Sequence, residues 1–187
     1  MPNQYYSPNP RLNGGALFAS FNSKEGSIYF KVLKQIANNA DKKGNFDGKN
    51  PINVKLSQDE AADIIRAIRT NGLSSFYHKF NDEVSTGKFT YYEIDAKDGQ
   101  GNPIKRKGFG LTVKKNDIEV KMGFTLGSAE RLSLFLKNAL VHIFNAEYSQ
   151  DLKDAKEYRE KNKSEVQSKT EEYIPKESTH AEETIDF

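Results

Sequence analysis

Twice along the chain an alternating apolar strand runs directly into a capped amphipathic helix: "INVKLSQDEAADIIRAI" (Ile52 to Ile68) and "KMGFTLGSAERLSLFL" (Lys121 to Leu136). In each, the hydrophobic period changes from two to 3.6 within a few residues, so strand and helix must share one core. In the first, Ser57 and Glu60 form a capping box in which each side chain satisfies the other end's orphan backbone N–H. Ala61, Ile64, Ile65 and Ile68 then fall at helical spacing, and Gly72 suits the C-terminal cap. In the second, from Ser128, residues Ala129, Leu132, Phe135, Leu136, Ala139, Leu140, Ile143 and Phe144 lie on one broad apolar stripe. The two stretches suggest a weak internal duplication, although two capped helices after two strands also arise by chance.

The rest of the body reads as strands. "ALFASF" (Ala16 to Phe21) and "SIYFKVLKQ" (Ser27 to Gln35) flank the turn signal "NSKEG" and form a hairpin. "NADKKGNFDGKNP" is loop chemistry, with an optional short strand near Phe46. After the first helix come "SSFYHKF", "KFTYYEIDA", "IKRKGFGLTVKK" and "IEVKMGFTL", linked by "NDEVSTG", "KDGQGNP" and "ND". The order is three or four strands, helix, four strands, helix, which makes an α+β domain of antiparallel sheets. Residues 1–13 are rich in chain breakers and read as a flexible arm, residues 14–148 as the domain, and residues 149–187 as a charged, largely disordered tail, with partial helix at most before Pro175.

Charge is unevenly distributed. From Gln150 to Phe187 there are 11 acids and 7 bases, net −4, leaving the preceding residues with 21 bases and 15 acids, net +6. A basic body favours polyanionic partners through counterion release, and an acidic tail competes for the same surface; an ordinary solvated surface has the same composition. Cysteine is absent, which removes disulfides, thiolate metal sites and a Cys nucleophile and suits a reducing, cytoplasmic compartment. No stretch approaches a membrane span.

Enzyme signatures are missing. There is no glycine-rich phosphate loop, H-E-x-x-H or nucleophile elbow, and His78, His142 and His180 are far apart in sequence. Glu60 and Asp63 could pair around a metal, but Glu60 has a capping role and Asp63 faces solvent by helical phase. A non-enzymatic chain without cofactor or metal is the expectation.

The strands interleave bases with aromatics. Tyr29 and Lys31 share one strand face, Phe89 and Tyr91 another, and "KRKGFGLTVKK" brings Lys105, Arg106 and Lys107, with Lys121 following. Rings on a sheet with cations beside them suit sequence-tolerant binding of single strands: each base stacks on a ring while the cations track the phosphates. The alternative is that these rings are core or subunit interface. Gly108 and Gly110, flanking Phe109, mark a bulge or a close approach of another backbone.

On the stretches "LSQDEAADIIRAI", "SSFYHKF", "GFGLTVKKNDIEVKMGFTL" and "AERLSLFLKNALVHIF", residues 14–147 resemble the Whirly family of single-stranded DNA-binding proteins. That resemblance implies two four-stranded antiparallel sheets, a helix after each, a homo-oligomer (tetramer) with the helices at its centre, and single-stranded DNA held along the sheets. One departure is "LNGGALFASF", which stands where the plant members have a lysine-glycine-lysine-alanine stretch, and it puts higher-order assembly in doubt. The ending "HAEETIDF" is similar to the acidic tips of bacterial and phage single-stranded DNA-binding proteins of another fold. There, Ile185, Asp186 and Phe187 would be read by replication or repair proteins, the terminal ring and carboxylate filling a pocket rimmed by bases. The expected function is a protein that coats single-stranded DNA in replication, recombination or repair. A transcriptional regulator or RNA-binding protein of the same fold, or a structural oligomer, are the alternatives.

Overall fold

The computed structural model describes residues 3–9, 11–38 and 44–171, without the side chains of Asn38, Phe80 and residues 164–171. Two compact units are present, residues 1–147 and 148–187. Among the described residues the first contains nine strands in two antiparallel sheets. In chain order they are β1 (Asn3–Ser7), β2 (Gly15–Asn22), β3 (Ser27–Asn38), β4 (Gly44–Phe46), β5 (Ile52–Leu56), helix α1 (Gln58–Thr70), β6 (Leu73–Phe80), β7 (Glu83–Lys97), β8 (Pro103–Lys115), β9 (Ile118–Phe124) and the start of helix α2 (Leu126–Glu171).

The first sheet has the order β1-β2-β3-β4, with β5 also paired to β3; the second is the meander β6-β7-β8-β9. The α+β class with antiparallel sheets is as the periodicity indicates, and the sheets are two in number, as the resemblance implies. The first sheet has five strands rather than four, because residues expected to be a loose arm supply β1. Its Tyr5 is buried against Phe124, and the Arg131 guanidinium sits 4.5 Å over the Tyr5 ring. Arg131 also donates to the Gln4 carbonyl at 2.7 Å. This buried ring with its own cation joins the β2 ladder, the Tyr6 contacts with Phe18 and Phe46, and the Gly123 N–H donated to Ser7 Oγ at 2.9 Å in holding a strand whose other side chains are polar or exposed.

Both sheets turn one face to a common core. Leu17, Ile28, Phe30, Val32, Ile52, Val54 and Leu56 from the first meet Phe89, Phe109, Leu111, Val113, Val120, Met122 and Phe124 from the second. Ala61 and Ile64 of α1, and Leu132, Leu136 and Ile143 of α2, complete it. The capping box at Ser57 is present as read: Glu60 N–H donates to Ser57 Oγ at 3.2 Å and Ser57 N–H to Glu60 Oε2 at 2.8 Å. The C-cap is Asn71, with φ 51°, rather than Gly72; Asn tolerates the left-handed region, and Gly72 follows with its N–H on the Ala67 carbonyl.

"NDEVSTG", expected as a linker, is only partly one. Asn81 and Asp82 turn the chain and Glu83 already belongs to β7. Gly87 lies mid-strand because the Phe76 ring occupies the space a Cβ would need. Helix α2 continues to Glu171, well past the last residue of its apolar stripe and into the segment expected to be largely disordered. Among the described residues, no helix is long and apolar enough to cross a membrane.

Candidate nucleic-acid interface

The register of the second sheet sorts its side chains. Cross-strand partners Phe89 and Leu111, Tyr91 and Phe109, and Gly87 and Val113 point to the core. Their neighbours along each strand therefore point outward. That outer face carries Tyr77 and Lys79 from β6, Lys88, Thr90 and Tyr92 from β7, Arg106, Thr112 and Lys114 from β8, and Glu119 and Lys121 from β9. On these positions five cations share one sheet surface with a single acid.

Two rows organise it. Ser75, Lys88, Thr112 and Lys121 are consecutive cross-strand partners, as are Tyr77, Thr86, Lys114 and Glu119. Lys121 reaches Glu119 at 2.7 Å, and Lys121 and then Lys114 help hold the Glu119 carboxyl below its usual range. Lys79, Lys88 and Arg106 have no ion pair among the described residues. Tyr77 is 63% exposed. Tyr92 is half-buried because it lies across Gly108, where a Cβ would come within 2.7 Å of the Tyr92 hydroxyl and also meet the Phe124 carbonyl. Glycine at 108 thus leaves room for the Tyr92 ring and for the Phe124 carbonyl of the neighbouring strand, the latter being the close approach of another backbone that residue signalled. Gly110 is open: a Cβ there would meet only the Met122 carbonyl, 4.0 Å away.

The candidate residues read from the sequence fall into four places. Arg106 and Lys121 are on this outer face. Lys105 and Lys107 are on the opposite side of the same strands, where Lys107 is 3.2 Å from Glu93 and Lys105 is 3.5 Å from Glu93 and 3.6 Å from Asp95. Lys107 in particular holds the Glu93 carboxyl below its usual range, and Glu93 in turn raises Lys107. Phe89 is only 2% exposed and stacks on Phe109 at 5.1 Å, so it is a core ring and not a platform for bases. Its period-two neighbour Tyr91 is half-buried and packs edge-on against Phe109 at 5.4 Å.

Tyr29 and Lys31 lie together on the outer face of the first sheet, as their spacing requires. The Tyr29 hydroxyl donates to Glu25 at 2.7 Å, which raises its pKa, and Lys31 is paired across the strands with Phe18 and Asn53. Tyr6 packs on Phe18 and Phe46, so most rings of that face satisfy one another. Ile185, Asp186 and Phe187 lie outside the described residues.

The remaining polar sites have local explanations. His78 Nε2 is 2.8 Å from Glu60 and its ring stacks on Phe76, while Asp63 pairs with Arg66 at 3.2 Å. His142 stacks on Phe21 at 5.7 Å. No group of three or more metal-ligating side chains occurs among the described residues. Lys88, Lys114, Tyr77 and Tyr92 are not picked out by the sequence pattern alone; strand parity relative to buried Phe89 and Phe109 is the signal that finds them.

No family model matches the chain, and no curated protein does. Among solved structures, a chain from crystal structures of Trypanosoma bruciei MRP1/MRP2 is similar, with a TM-score of 0.47 and 13% identity over 79% of this chain and 87% of that one.

Proposed function

We propose that the protein binds single-stranded nucleic acid, DNA above all, across the outer face of the second sheet, without reading sequence. The observation that carries this reading is that cations without an ion pair among the described residues, Lys88 and Arg106 foremost, share one sheet face with the half-buried ring of Tyr92 and the exposed ring of Tyr77. Phosphates gain from the cations and bases from the rings, and neither contact depends on base identity. A duplex offers phosphates but no free base faces, so the rings favour single strands. Also proposed, on the Whirly-like resemblance, is a role in replication, recombination or repair, with the tip at Ile185, Asp186 and Phe187 recruiting partner proteins.

A homo-oligomer belongs to this proposal. On α2, Leu134, Val141 and Phe144 are each more than half exposed, Phe144 lying off the buried stripe on which its spacing put it, and they form an apolar surface that a second copy would cover. Fluorescence anisotropy with oligo-dT, duplex DNA and RNA of equal length, at two salt concentrations, tests the binding. Salt-dependent preference for the single strand is expected, and equal or absent binding would refute it.

A further inference from the structure

Strands β7 and β8 outrun their neighbours. Strand β6 pairs with β7 only as far as Thr90, and β9 pairs with β8 only from Phe109 onward. Residues 92–97 and 103–108 are therefore hydrogen-bonded in ladder fashion only to each other, as a two-stranded ribbon overhanging the four-stranded sheet. Its tip is fixed by Asp98, whose carboxylate accepts from the Gln100 and Asn102 N–H groups at 2.8 Å each. A ribbon of this kind is marginally stable unless its side chains find partners.

The two sides of the ribbon differ. One carries Glu93, Asp95, Lys105 and Lys107, an acid–base ladder that neutralises itself. The other continues the outer face of the sheet and carries Tyr92, Ile94, Ala96, Ile104 and Arg106. Ile94 is 50% exposed and Ile104 38%. Ile94 pairs with Arg106 and Ile104 with Ala96, so the two isoleucines are diagonal neighbours about 7–8 Å apart. That is roughly twice the 3.4 Å rise of a stacked strand.

We propose that this ribbon is a base-contacting arm, in which Ile94 and Ile104 enter the stack on either side of one base of a single strand. Arg106, directly opposite Ile94, two residues from Ile104 and without an ion pair among the described residues, holds the adjacent phosphate. Two observations favour nucleic acid over a protein occupant: the apolar side is continuous with the cationic face, and the ribbon's ladder acids are confined to its other side. Apolar side chains wedged between base steps unstack them, which here adds unstacking of the bound strand to simple coating.

The inference rests on the proposed binding face, and its test separates the two. The full chain and an Ile94→Thr/Ile104→Thr variant are titrated onto an oligodeoxyadenylate strand containing several 2-aminopurines, with anisotropy and 2-aminopurine emission read together. Threonine keeps a β-branched side chain at two exposed positions, so the fold is retained, which an unchanged melting temperature checks. The unaltered protein is expected to brighten the emission several-fold at saturation. The variant is expected to bind within about tenfold of it, the low end of one base contact, yet leave emission near that of the free strand. Equal brightening by the variant would overturn the arm while leaving the binding face intact. A fall in particle mass with brightening unchanged would overturn it too, by making the ribbon a subunit contact. No anisotropy change with the unaltered protein would overturn both the face and the arm.

Discussion

Lys88 and Lys121 stand in one cross-strand row on the outer face of the second sheet, separated by Thr112. Two strand spacings put their backbones about 10 Å apart, close enough for both to meet one strand of nucleic acid. Lys88→Ala is expected to weaken single-strand binding for all sequences alike and to reduce the salt slope by about one-half to one unit, and Lys121→Ala, whose ammonium is already 2.7 Å from Glu119, by less. Titration at several salt concentrations reads both effects. Lys105→Ala, which removes a cation already paired with Glu93 and Asp95, should change the slope less.

Tyr92 and Phe89 lie on opposite faces of one strand and should fail differently. Tyr92→Ala is expected to lower affinity by roughly tenfold or more, corresponding to a lost stacking contact of about 1–3 kcal/mol. Phe89→Ala empties a core site and is expected to reduce stability by about 3–5 kcal/mol. Anisotropy and thermal unfolding, measured on both variants, distinguish the two outcomes.

How far the sequence discloses this arrangement depends on what each residue's neighbours are. Ser57, Glu60 and the isoleucines of α1 are legible because a capping box and a 3.6-residue period are local patterns. "KFTYYEI" has rings on both faces, and alternation alone does not say which face is core; that is decided by Phe109 and Leu111, brought alongside by a register that sequence does not specify. Lys88 is hidden for the same reason, since its row partners Thr112 and Lys121 are remote in sequence. Strand β1 is illegible because what holds it is remote in sequence: Tyr5 is buried under an arginine from α2, Tyr6 packs on Phe18 and Phe46, and Ser7 Oγ accepts from Gly123 N–H.

Gly87→Ala drives a methyl group into the Phe76 ring. Overpacking of this kind destabilises by about 1–3 kcal/mol, and a lower melting temperature with unchanged oligo-dT affinity is expected. Phe76→Leu in the same chain should recover part of the loss.

The ladder on the ribbon's inner side gives a pH signature. Hydrogen bonding from Lys107 chiefly, with the nearby charges of Lys107 and Lys105, holds Glu93 below its ordinary value of 4.5. A depressed folded-state value means that the ion pairs contribute above the ordinary value and are lost as pH falls through the lower one. Carboxyl NMR titration should find the Glu93 midpoint below 4.5, moving upward in Lys107→Met.

The most direct measurement is a titration of oligo-dT with the full chain and with a Lys88→Ala/Lys121→Ala double variant, beside duplex DNA of equal length. Tight, salt-dependent binding that prefers the single strand and is sharply weakened in the double variant is the expected result. Equal affinity of the two proteins for oligo-dT, or no binding by either, would contradict assignment of the outer face of the second sheet as a nucleic-acid surface.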